Sequence, residues 1–559
     1  MMLRSESNNA PFVPMWAMDT ARSAMPEDFS PDDLTLFSAV ADATDHPVLR
    51  ARLSDLAWLG AKPRRIADAH RAIDAYTAQQ PSGEDWFQCL EGWGRAITLC
   101  LQLRKGAADR LEVIEKALES IATAGVPSDD GLGLAAARLL LNRNLSFDQG
   151  AVLADLLAAR GQAKQAAGND FWGARSHFDL ACAWFQRVGN VERAADMTLS
   201  TALSFEAEAD HRIALDATQG HLVAASFLED AIQTLRKIPK ELRQSRGIDG
   251  HLQRLLHRVT ESGEKAVNAL PTINGGKTDI TEFVRSAEDA VAGRKLLDAL
   301  LVLAHLHSGA DAAAITKTAE QSLRDFPISR MFGSTHMSRD GRAIAKTPGG
   351  SMDEASEAHQ AKLWETMMRY HGFDIELVCK AQILPALNVI LREHVVRRAD
   401  LAQLMSLSPV VPPERAEQFA KGLWEGFEFD FATATYLLAP QIENLVRWHL
   451  KQAKVKTTTV DKEGIENEIG LSNLVEVSEV KEIFGPDLAF ELKALFCSAL
   501  GPNLRNGVAH GLLSANECHS SGAIYAWWWI LRLTLRSFWM ARRAEAQQDA
   551  PTAADAQPD

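Results

Sequence analysis

Eleven residues, Asn503-Leu504-Arg505-Asn506-Gly507-Val508-Ala509-His510-Gly511-Leu512-Leu513, carry the most specific chemical signal in this 559-residue chain. Arg505 and His510 stand five positions apart, with Asn506 between them, in what reads as a short helical segment. A guanidinium can fork onto a phosphate, and an imidazole titrates near neutrality. Together they suffice for metal-independent cleavage of RNA. The imidazole moves protons as a 2′-OH attacks phosphorus and the 5′-oxygen leaves, and the arginine holds the phosphoryl oxygens. Asn506 can donate to a phosphate or fix the imidazole tautomer. No metal ligand set or cofactor motif accompanies the string.

Helical geometry constrains this chemistry. At about 100° per residue, five residues turn the two side chains about 140° apart, so they do not share one face. Either Gly507 and Gly511 loosen the segment, or the same motif of a second copy completes the site across a two-fold axis. The homodimer is the preferred reading. A supporting residue is expected on a neighbouring helix, and Glu443 is the candidate. It sits four residues before Arg447 and would orient Arg505 or His510, or form only a helical ion pair.

The elements that must position these residues are helical. From about Asp32 to Phe326 the sequence is a succession of amphipathic helices with short polar breaks. Between Ala174 and Ala209, Ala181, Trp184 and Phe185 fall on one face, Gly189-Asn190 makes a turn, and Ala194, Leu199, Ala202 and Phe205 resume the pattern. This describes an αα-hairpin of tetratricopeptide type. A similar pattern returns at Ala224–Leu228, an interval too long for that repeat, so the region reads as an irregular α-solenoid, a surface on which a protein partner could dock.

Arg339-Asp340-Gly341 between two short extended runs predicts a β-hairpin over 331–350. Helices resume over Glu357–Tyr370 and Leu377–Val396, the second containing Pro385, which would kink or divide it. A break at Ser408–Pro413 precedes a helix over Thr435–Ala453. Val455–Gly470, polar and charge-dense, reads as a loop. Pro486–Leu500 and Ala523–Arg543 complete the helices. The expected fold class is all-α, with residues 1–28 as a flexible start, 29–330 helical and repeat-like, 331–350 a hairpin connector, 351–544 a helical bundle and 545–559 a disordered tail.

Leu504–Gly511 resembles the R-N-x-x-x-H-G signature of a family of unknown function. That signature is similar to the Arg-x4–6-His motif of the HEPN (higher eukaryotes and prokaryotes nucleotide-binding) superfamily. Ala439–Leu445 resembles the start of the corresponding helix, and Arg52–Trp58 resembles the helical region that precedes such domains. The match spans roughly residues 430–515. The resemblance implies a helical bundle, commonly dimeric, in which arginine and histidine perform metal-independent endoribonuclease chemistry, often in toxin, defence or RNA-processing roles. Arg505, Asn506, His510 and Glu443 are the residues it would carry over. The alternative is a non-catalytic helical-repeat scaffold whose HEPN-like domain dimerises or binds a nucleotide.

Bulk properties bound these readings. The net charge of −14 argues against a generic nucleic-acid coat protein. Over Tyr436–Arg543, however, 12 Lys and Arg face 11 Asp and Glu, so the region holding the motif is near neutral. Six cysteines without a CxxC pair read as free thiols of a reducing compartment. No secretory signal opens the chain, and no uninterrupted apolar run approaches the ~18–20 residues of a membrane helix. The cytoplasm is the expected location. Ser514, Cys518 and His519 lack the spacing of a zinc site. Asn274–Thr278 is not a phosphate loop. Trp527, Trp528 and Trp529 read as core or interface, or else as a base-stacking platform. Arg532, Arg536, Arg542 and Arg543 form either a phosphate-facing stripe or a solvated last turn.

Overall fold

The computed structural model describes residues 2–3, 10–18, 21–82, 85–124, 130–270, 276, 278–351 and 353–548. Parts of the expected flexible start, the tail beyond Gln548, and Asn274, Gly275 and Lys277 lie outside these residues. Among the described residues helices dominate. Strands occur only as three antiparallel pairs: Met2–Leu3 with Phe12–Val13, Ser334–Met337 with Ala343–Thr347, and Thr458–Val460 with Glu466–Glu468. The all-α class with a small hairpin insertion is therefore observed. No helix among the described residues is long and apolar enough to cross a membrane.

Packing divides the chain into two compact units. One comprises Met1–Leu270 with Arg339–Arg342, the other Pro271–Ser338 with Ala343–Asp559.

In the first unit most helices pack on a near neighbour in sequence, as expected of a solenoid, although Asp130–Asn142 packs on Phe171–Arg187 and Gly220–Arg236 on Ile248–Ala269, each skipping the helix between. The expected αα-hairpin consists of the Phe171–Arg187 and Val191–Leu215 helices. Gly189 takes the left-handed conformation that the turn needs (φ +77°), and Asn190 caps the second helix by accepting from the Arg193 N–H at 3.1 Å. Trp93, Phe178 and Trp184 anchor the core. Asp55 sits inside it fully buried, accepting from Arg95 Nη2 at 2.8 Å, Arg95 Nε at 2.9 Å and Tyr76 Oη at 3.1 Å. The Arg52–Trp58 segment thus contributes a buried polar anchor.

The second unit is built on one large core drawing on residues from Ala287 to Leu535. Two helices within the 29–330 range, Thr281–Val291 and Leu296–His305, pack into this core. By packing, the division falls after Leu270. Leu-Leu-Asp-Ala-Leu-Leu-Val-Leu-Ala-His is apolar almost all round, so periodicity alone does not say which core takes it. The Glu357–Val378 helix runs through a wide turn at Cys379–Ile383 into Leu384–Glu393. That i→i+5 turn accommodates Pro385, so the helices expected at Glu357–Tyr370 and Leu377–Val396 are one continuous element. Thr458–Glu468, within the expected loop, is a strand pair closed by Asp461–Gly464, where Gly464 has φ +82°.

The three tryptophans are core. Trp527 Nε1 donates to the Leu423 carbonyl at 2.9 Å, Trp528 Nε1 to the Leu303 carbonyl at 2.7 Å and Trp529 Nε1 to Glu491 Oε2 at 2.7 Å. All three indoles are buried, so they offer no face for base stacking. The expected arginine stripe is also broken. Arg532 reaches the Ser308 carbonyl and Arg542 pairs with Asp298, while Arg536 is exposed.

Candidate functional site

Two elements of the second unit bring the predicted residues together. The first is the Phe431–Gln452 helix, which starts four residues earlier than its apolar spacing suggests because Asp430 caps it, accepting from the Thr433 N–H at 2.9 Å. Leu438, Ile442, Leu445 and Val446 bury one face, which turns Glu443 and Arg447 toward the other side. The second is the short Leu504–Ala509 helix, entered through Asn503 in the left-handed conformation (φ +49°). Leu504 is buried in the core and anchors this helix.

Glu443 Oε2 accepts from Arg505 Nε at 2.8 Å, and Glu443 Oε1 accepts from Arg447 Nη2 at 2.9 Å. Arg505 Nη1 also donates to Asn506 Oδ1 at 3.2 Å, and Asn506 Nδ2 donates to Asn503 Oδ1 at 2.8 Å. Burial pushes the Glu443 carboxyl up, but the hydrogen bonds and charges of Arg447 and Arg505 outweigh it and hold the group below its usual range. Glu443 is therefore both the helical ion-pair partner of Arg447 and the residue that orients Arg505.

Glu443, Arg447 and Arg505 line a pocket of about 380 Å³, together with Arg415, Gln441 and Asn444. Three guanidinium groups and one carboxylate line it, and a second carboxylate, Glu468, pairs with Arg447 Nε at 2.9 Å. Arg415 was not anticipated. It ends a short turn at Pro413–Arg415, just after the Pro412-Pro413 break, with its N–H bonded to the Pro412 carbonyl at 2.8 Å.

His510 is not among the residues that line this pocket, although Val508 and Ala509 are. It follows the last residue of the short helix and is exposed. The helix ends there for a clear reason. Gly511 adopts φ +63°, its N–H reaches the Val508 carbonyl at 3.2 Å, and the Leu512 N–H reaches the Gly507 carbonyl at 2.8 Å. This is a glycine-terminated helix end of Schellman type. The His-Gly pair of the motif is thus a stop, and the glycine fixes where the histidine stands. Within one chain, Arg505 with Asn506 and Glu443 forms one hydrogen-bonded group, which the His510 side chain does not join.

Residues 1–112 match a family described as a domain of unknown function, DUF7380. No curated protein and no solved structure matches the chain. The matched stretch lies in the first unit and does not reach Glu443, Arg505, Asn506 or His510.

The neighbouring candidates serve the fold. Ser514 Oγ caps the Ala515–Cys518 turn, the Cys518 side chain is buried, and His519 Nδ1 bonds the Ala515 carbonyl at 2.9 Å. Among the described residues no group of three or more His, Cys, Asp or Glu is arranged to hold a metal ion. All six cysteines are free. The signals for Arg447 and Glu443 were present in their i,i+4 spacing. Arg415 had none, because only tertiary packing brings it to the pocket.

Proposed function

We propose that the second unit is a HEPN-like domain acting as a metal-independent endoribonuclease on RNA. The observation that carries this reading is Arg505, aligned by Glu443 and lining a pocket of net positive charge, five residues before an exposed histidine. Arg505 would hold non-bridging phosphoryl oxygens and stabilise the charge that gathers on the phosphorane. His510 would take the proton from the 2′-OH as the 2′-oxygen bonds to phosphorus, and the 5′-oxygen would leave with a proton. The products are a 2′,3′-cyclic phosphate and a 5′-hydroxyl. Within one chain the His510 side chain does not join the Arg505 group, so a homodimer in which the partner subunit's His510 faces this pocket supplies the pair. The protein would work in the cytoplasm, in a toxin or defence setting, with the first unit engaging a protein partner.

Purified protein incubated with RNA in EDTA tests the reading. Cleavage leaving 2′,3′-cyclic phosphate ends, abolished by Arg505→Ala and by His510→Ala, is the expected result. No cleavage by the wild type on structured and unstructured RNAs, and no toxicity on expression, would overturn it. The same absence of His510 from the pocket lining favours a second reading, in which the domain dimerises or binds a nucleotide without cleaving. In that case His510→Ala leaves function unchanged while substitutions in the pocket do not.

A further inference from the structure

Two of the three guanidinium groups at the pocket have carboxylate partners. Arg447 pairs with Glu443 at 2.9 Å and, through Nε, with Glu468 at 2.9 Å, while Arg505 pairs with Glu443 at 2.8 Å. Arg415 has no such partner. Among the described residues its side chain makes no hydrogen bond and no ion pair, yet it is half-buried and lines the same pocket as Arg505. A partly desolvated guanidinium without an acceptor costs stability, so the fold does not account for its presence. The core holds its backbone in place. Val411 before it and Phe419 after it are both buried, and between them the Arg415 N–H closes a turn onto the Pro412 carbonyl at 2.8 Å. Pro412 and Pro413 stiffen that turn.

Arg505 alone has little left to offer a ligand. Its Nε is engaged by Glu443 and its Nη1 by Asn506, which leaves Nη2 without an acceptor among the described residues. Glu443 accepts with both oxygens already. The unspent donors, Arg505 Nη2 and the fork of Arg415, call for a group with several acceptor oxygens and negative charge. A phosphodiester has two non-bridging oxygens and no donor. The side-chain amides of Gln441 and Asn444, also in the lining, can donate to the same oxygens or accept from a neighbouring ribose hydroxyl.

We infer that Arg415 is a substrate-binding residue, which together with Arg505 holds one phosphodiester of the RNA chain. The inference rests on the RNA-cleaving reading of the site and adds to it a residue that the Arg505–His510 motif does not contain. Arg505, restrained by Glu443 and Asn506, sets the position of the phosphate, and Arg415 supplies the donors that Arg505 has already spent.

The test uses the full chain and a fluorescent six-nucleotide 2′-O-methyl RNA with hydroxyls at both ends, which cannot be cleaved by 2′-OH attack. Binding is followed by anisotropy. Arg415→Gln and Arg505→Gln should each weaken binding roughly tenfold. The double variant should lose clearly less than the product of the two, because both side chains grip one phosphate. Arg415→Lys should retain part of the affinity. A hexanucleotide of the same sequence with uncharged methylphosphonate linkages should bind the wild type and Arg415→Gln alike. The melting temperature of Arg415→Gln should match that of the wild type, which separates lost binding from lost folding.

No binding of the RNA by the wild type, or wild-type affinity in Arg415→Gln, overturns the inference. So do losses that multiply in the double variant, which would place the two arginines on different groups, and an equal loss with the methylphosphonate. Because the probe is uncleavable, the two readings fail separately. A protein that never cleaves RNA but shows the coupled loss refutes the nuclease alone. One that cleaves while Arg415→Gln binds like the wild type refutes this assignment alone.

Discussion

Glu443 divides its carboxylate between two arginines on different elements, Oε2 to Arg505 Nε at 2.8 Å and Oε1 to Arg447 Nη2 at 2.9 Å. A glutamine there would accept from one arginine and present an amide N–H to the other. Glu443→Gln should therefore release the Arg505 guanidinium and lower RNA cleavage by about one to two orders of magnitude. Single-turnover cleavage at saturating protein measures this, and an unchanged rate would remove Glu443 from any positioning role.

The same carboxylate gives a pH signature. Its folded-state pKa lies below the ordinary 4.5, so its stabilising contribution is fully present above that value. It is lost as pH falls through the lower folded value. Urea unfolding of the wild type between pH 3 and 6 should show an acid-side loss that Glu443→Gln lacks.

His371 titrates in the opposite sense from a paired histidine. It is buried against Phe490 and Tyr525, its Nε2 has no hydrogen-bond partner among the described residues, and burial pushes it down to about 4. The folded state thus keeps it neutral while the unfolded chain takes a proton near pH 6.5. Its contribution is present above pH 6.5 and is lost as pH falls toward 4, amounting to about 3 kcal/mol. His371→Phe should flatten the decline in thermal stability between pH 6.5 and 4.

The exposed His510 makes no side-chain hydrogen bond among the described residues, so removing it should cost little stability. His510→Ala should stay within about 0.5 kcal/mol of wild type in urea unfolding while cleavage falls at least ~100-fold. A parallel loss of stability and activity would make the histidine structural.

Gly511 holds a left-handed conformation that costs a Cβ-bearing residue about 1–2 kcal/mol. Gly511→Ala should destabilise the protein by roughly that amount and, by shifting His510, reduce cleavage more than the stability loss accounts for. Gly511→Asn, which tolerates this conformation, should recover most of both.

Much of this arrangement was legible from residue spacing. The apolar stripe of the Phe431–Gln452 helix put Glu443 and Arg447 on its other side, and the 140° between Arg505 and His510 anticipated that the two side chains share no hydrogen-bonded group. The Thr458–Glu468 strand pair was not legible, because Thr-Thr-Val and Glu-Asn-Glu offer no apolar alternation and only the Asp461–Gly464 turn marks it. Arg415 escaped notice because nothing in its own neighbourhood signals a pocket formed by residues 440–509. The Leu296–His305 helix shows the same limit: an almost uniformly apolar segment announces that it is buried without announcing where.

The tryptophan anchors bear on the order of events during synthesis. Leu504, which seats the short helix carrying Arg505, rests in a core that also contains Trp527, Trp528 and Trp529, and these residues leave the ribosome after the motif itself. A nascent chain that has exposed Arg505 and His510 but not yet Trp529 holds every reactive group and has no floor beneath them. An activity harmful to RNA would in this way stay silent beside the very transcript being translated.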